Sequence, residues 1–144
     1  MKKIFLISFL AIFLSSVGWA KDLDCQVCGM KIGEKAPNHF VLKKEKGSDS
    51  LHVCSIPCVQ KGRKNAPGYI KTEVSDFNHP GKLLDGNRAF FLVKSKNIKK
   101  DLGDMVMPPY VAAFATKEEA TAVQKKQGDG TIVQGFENAL KEVQ

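Results

Sequence analysis

The chain has 144 residues, 43% hydrophobic and only 8% aromatic, with 22 basic against 15 acidic side chains and a net charge of +7. That length bounds the fold to one domain or two small modules. Lys94, Lys96, Lys99 and Lys100 form the densest basic group. So few aromatics lie between the basic residues that the stacking platform of a single-strand nucleic-acid binder is missing; a solvated face is expected, and no nucleic-acid partner.

In chain order, Lys2 and Lys3 precede an apolar run from Ile4 to Leu14, and Gly18 and Ala20 supply the small residues of an export cleavage site. The run is shorter than the roughly 20 apolar residues that span a bilayer. Residues 1–20 therefore read as a signal peptide cleaved after about Ala20, with an uncleaved anchor as the alternative. Asp22-Leu23-Asp24 ahead of Cys25 is not the apolar triplet that lipidation needs. The expected location is the periplasm, with membrane contact only transient or through an uncleaved signal. Loss of the leader removes two lysines and no acid, lowering the charge to +5.

The stretch HFVLKKEKGSDSLHVCS reads as two strands joined at Gly47-Ser48-Asp49. Ser55 is placed to cap a helix that begins Ile56-Pro57, where proline is tolerated because its missing N–H would lack a partner anyway. That helix runs toward Asn65 and stops before Pro67-Gly68, and YIKTEVSDF follows as a strand. After a loop with Asn78, Pro80 and Gly81 the pattern restarts, with strands at RAFFLVKSK and PYVAAFA. Thr116 and Glu119 make a capping box for a helix that runs to about Gln127 and ends at Gly128. GTIVQGF is a last strand, and Phe136, Ala139, Leu140 and Val143 mark a terminal helix. The expected fold class is α+β: tandem ββαβ units with antiparallel sheets, in modules 21–80 and 81–144.

All four cysteines fall in the first module, as Cys25-x2-Cys28 and Cys54-x3-Cys58. The first pair is expected in a turn and the second across a strand–helix junction. There the free N–H groups of the helix start would favour the Cys58 thiolate. Two turns giving two sulfurs each are the usual frame of a tetrahedral zinc site. Disulfides are the alternative for an exported protein. A thiol–disulfide oxidoreductase is a weaker reading, because no strand precedes Cys25 and Gly29 suits a sharp turn better than a helix.

The methionines shift the balance of metals. Met30 stands two residues past Cys28, and Met105 and Met107 stand beside Pro108-Pro109. Thioether ligates zinc poorly and soft Cu(I) well, although methionine also serves as ordinary core filler. His52 reads as an accessory ligand or a half-buried strand residue, and His39 and His79 as surface or loop residues. No HExxH, Ser-His-Asp, phosphate-loop or paired-carboxylate motif is present, so nothing argues for an enzyme.

CQVCGMKI near the expected mature N-terminus, with MPPYVAAFATKEEA in the second half, resembles the NosL family of exported copper-binding accessory factors of nitrous oxide reductase maturation. The resemblance implies tandem ββαβ architecture and a Cu(I) metallochaperone, with Zn(2+) as the alternative metal. It implies Cys28 and Met30 as leading ligands, Cys25 beside them, and Met105 or Met107 as candidates to close the site. Its implied partner is a copper-accepting apo-enzyme, nitrous oxide reductase, or another maturation factor. Cys54 and Cys58 add a pattern similar to the TRASH-type array.

Overall fold

The structure, a computed structural model, describes residues 23–33, 35–103 and 106–144. The expected signal peptide and Met105 lie outside these residues. No helix among the described residues is long and apolar enough to cross a membrane.

A small hairpin comes first, with β1 (Leu23–Asp24) antiparallel to β2 (Lys31–Ile32). The first unit follows as β3 (Phe40–Lys44), β4 (Ser50–Val53), α1 (Ile56–Asn65) and β5 (Tyr69–Ser75), and β6 (Leu83–Asp85) extends its sheet. The second unit is β7 (Phe90–Val93), the short α2 (Lys99–Leu102), β8 (Ala112–Phe114), α3 (Lys117–Gln127) and β9 (Thr131–Gln134), with α4 (Phe136–Val143) after it. The sheet orders are β4-β3-β5-β6 and β8-β7-β9, with every pairing antiparallel. In both sheets the unit's first strand is central, flanked by its second and its last. The repeat read from the sequence is thus a repeat of topology.

Local chemistry sets the helix starts. Ser55 is extended and its side chain accepts from the Cys58 N–H, so it caps α1. Thr116 and Glu119 form the full reciprocal box at α3, and Gly128 ends that helix in the left-handed region at φ 75°.

The packing explains the long apolar runs of the second unit. Phe91 and Val93 point into a core shared with the first unit, while Leu92 points the other way into a second cluster with Phe114 and Ala120. A sheet buried on both faces reads as continuous hydrophobicity. The shared core joins Phe40, Leu42 and Val74 of the first sheet, Ile56 and Val59 of α1, Phe91 of the second sheet and Phe136 of α4. Phe136 meets both Phe40 and Phe91 edge to face, with ring centroids 5.9 and 6.2 Å apart. The Arg63 guanidinium lies 5.1 Å from its ring and reaches Glu137 Oε1 at 2.6 Å and Thr72 Oγ1 at 2.8 Å.

Phe136 is thereby the seat of the contact between units. Phe136→Ala should cost about 3–5 kcal/mol, with both units melting in one transition at lower temperature in a circular-dichroism scan. Separate transitions, or an unchanged midpoint, would show that the units fold independently of this contact.

Candidate metal centre

Cys25 and Cys28 lie in the turn between β1 and β2. The turn is closed by hydrogen bonds from Cys25 N–H to the Met30 carbonyl and from Gly29 N–H to the Cys25 carbonyl, both 2.8 Å. Gly29 takes φ +76°, a left-handed conformation that most side chains resist. The sequence CxxCG is therefore one tight knuckle, and it contains no helix N-terminus of the kind a thioredoxin-like site uses.

The knuckle docks on the edge of β4 through Gln26. The Gln26 N–H donates to the His52 carbonyl at 2.9 Å, and the His52 N–H donates to Gln26 Oε1 at 2.7 Å. This brings the first cysteine pair beside the second. Cys54 follows β4 directly, and Cys58 sits in the first turn of α1. Asn38, itself buried, donates from Nδ2 to the Cys54 carbonyl at 2.8 Å and holds that residue in place.

The four sulfurs lie within 4.8 Å of one another. Cys28 Sγ is 3.5 Å from Cys54 Sγ, and Cys54 Sγ is 3.8 Å from Cys58 Sγ. A metal about 2.3 Å from each of four sulfurs sets them roughly 3.8 Å apart in a tetrahedron, so the spacing fits one ion. All four are free thiols; Cys25, Cys54 and Cys58 are buried and Cys28 is exposed.

Protonation divides the cluster. Burial alone would push the Cys25 thiol up. The N–H groups of Cys28, Val27 and Cys54, with the Cys28 side chain, outweigh that and bring it down to about 7 from 9.0. Burial pushes Cys58 up, helped by Cys28 and by charge on Cys25 and against the Ser55 hydroxyl. Cys54 is pushed up strongly, by burial first and by Cys28 second. The expectation that the start of α1 would favour a thiolate at Cys58 is therefore corrected. Desolvation is the largest influence on Cys58, and the Ser55 hydroxyl alone works against it.

The remaining predicted residues fall as follows. Met30 is half-buried and packs against the core cluster that holds Cys25, Cys54 and Cys58. Met107 is 39% exposed. Its neighbour Val106 lines a cavity of about 220 Å³ with Lys31, Ile32, Asn38 and Leu102, next to the strand that follows Met30. The histidines do not join the sulfurs. His52 is half-buried and hydrogen-bonds His39, which is buried and not a surface residue. His79 is exposed and hydrogen-bonds the buried Asp76. Gln26 and Asn38 escaped the sequence reading, since one amide beside a cysteine or ahead of a strand has no periodic signature.

With this geometry in view, the chain matches a solved structure, the copper chaperone NosL from Shewanella denitrificans. The match has a TM-score of 0.56 and 21% identity, and covers 78% of this chain and 86% of that one. The fold is NosL-like. No protein-family model matches the sequence, nor does any curated protein. The likeness is one of fold; the capacity to hold a metal ion rests on the four-cysteine cluster itself.

The unequal thiols are directly observable. In reduced, metal-free protein, ultraviolet thiolate absorbance should rise in a first step centred near pH 7, the value to which Cys25 is lowered. The Cys58 and Cys54 steps should lie above the ordinary thiol range. Cys25→Ser should remove the first step; its survival would assign the low value to another sulfur.

Proposed function

We propose that this protein is a Cu(I)-binding chaperone of the NosL type, which carries the ion on cysteine sulfur with Met30 alongside and hands it on by ligand exchange. The observation that carries this reading is the asymmetry of the cluster, with three buried sulfurs and one, Cys28, exposed. A structural zinc site keeps all four coordination positions filled by protein ligands. A delivery site needs one ligand that an acceptor's sulfur can displace first while the others keep hold. Soft thiolates and a thioether suit Cu(I), which also tolerates fewer than four ligands. In this reading Cys25 and Cys28 are the principal ligands, Cys54 and Cys58 the inner wall, and Met107 or Met105 an approaching ligand from the second unit. The role is binding and delivery, with no chemical transformation of a substrate. The recipient proposed is apo-nitrous oxide reductase or another of its maturation factors, in keeping with the sequence resemblance to NosL proteins and with the copper-chaperone neighbour.

A second reading has its own support. Sulfur spacings of 3.5 and 3.8 Å are those of a tetrahedral four-thiolate zinc site. A zinc module would lose its fold on chelation, because metal affinity is then folding free energy.

The two part in a competition experiment on anaerobically purified, reduced protein. The chaperone reading expects capture of Cu(I) from a chelator of moderate affinity. Met30→Leu should weaken Cu(I) by about tenfold or more, roughly 1.4 kcal/mol, and leave zinc nearly unchanged. Equal Cu(I) affinity in the variant would remove Met30 from the site. Unfolding on zinc removal, with no competitive Cu(I) uptake, would favour the zinc module.

A further inference from the structure

We propose that His39 and His52 form a second metal site, separate from the sulfur cluster, for a borderline divalent ion of the Cu(II) or Ni(II) class. The inference rests on different donor atoms from the Cu(I) reading and stands whether or not that reading holds.

Leu51 packs against the shared core and Val53 belongs to it, so strand alternation turns His52 to the opposite face of the sheet. Val41 is the register partner of His52, and His39 stands two residues before Val41, in the loop that enters β3. His39 Nε2 and His52 Nδ1 face each other at 2.8 Å, with ring centroids 5.0 Å apart and the rings inclined by 24°. Only one of two facing imidazole nitrogens can carry a proton in that bond. The other presents a lone pair, and a neutral imidazole nitrogen is the commonest metal ligand in proteins.

The separation favours one class of ion. With metal–nitrogen bonds of about 2.0–2.1 Å, a nitrogen pair 2.8 Å apart subtends roughly 85° at the metal. That is near the right angle of tetragonal Cu(II) and Ni(II), and well short of the tetrahedral angle of zinc. Binding moves the shared proton to the far nitrogen of whichever ring carries it, and both facing lone pairs then turn to the ion.

The surroundings hold the pair in place. Ser50 Oγ stands 3.5 Å from the far nitrogen, Nε2, of His52. Gln26 grips the His52 backbone through both its N–H and its carbonyl. Such outer contacts orient the ring of a ligating histidine. His39 is buried while His52 is half-buried, so His52 gives the side of entry.

The test uses the full chain with its thiols first occupied by Ag(I), followed by Ni(II) titration watched through imidazole nitrogen NMR signals. The expected result is that His39 and His52 shift or broaden together at one equivalent, before the exposed His79. His52→Ala should weaken Ni(II) by roughly a hundredfold, as loss of one of two linked ligands does, and His52→Gln serves if the alanine variant is unfolded. Response at His79 first, or Ni(II) affinity unchanged in the His52 variants, would overturn the site. If Ag(I) is not retained, the sulfur reading fails visibly, and the same titration on the protein with all four cysteines changed to serine still decides the histidine site.

Discussion

Cys25, Cys54 and Cys58 belong to the same apolar cluster as Phe40, Val53, Val59 and Phe136, so the position of the metal centre is set by the hydrophobic core itself. A thiol packs as a small hydrophobe, but a thiolate in the same place must be stabilised or it will not form. The backbone supplies that stabilisation at Cys25, where N–H groups converge. Cys54 and Cys58 stay protonated until a cation replaces their protons. Of the four sulfurs, Cys28 is the one that faces solvent.

The second unit contributes more than a covering surface. Phe136 sits between the two sheets, and Arg63 ties α1 and β5 of the first unit to α4 of the second. The chain leaving β5 also touches the second sheet, with the Phe77 N–H donating to the Ala113 carbonyl at 2.8 Å. Val106 of the second unit lines a cavity with Lys31 and Ile32 of β2.

Much of the fold was legible because its signals are local. The Thr116–Glu119 box, the Ser55 cap and the Gly128 stop each act within one helical turn, and each stands in the structure where the residues place it. Short elements carried no such signal. β6, the β1–β2 hairpin and α2 span two to four residues each, too few for a period to show, and they exist because neighbouring strands or the core hold them. The thiolate expected at Cys58 failed for a related reason. The helix-start argument is local, whereas the burial that raises Cys58 comes from the core shared by both units. His39 stands in the loop just ahead of β3, but the pairing of β3 and β4 buries it against His52, which no local signal shows.

By itself the sequence determined which donors exist and the local frames that carry them: two close cysteine pairs, a glycine-closed turn, a capped helix and a methionine beside the first pair. Each follows from rules that act over three or four residues. Only the tertiary structure decided that Cys28 comes within 3.5 Å of Cys54, that three sulfurs are buried and one exposed, and that two histidines face each other apart from them. Those outcomes depend on docking the knuckle to the edge of β4 through Gln26, and on closing one core over both sheets. Neither contact has a periodic trace in the chain, because each joins residues whose separation is set by the fold.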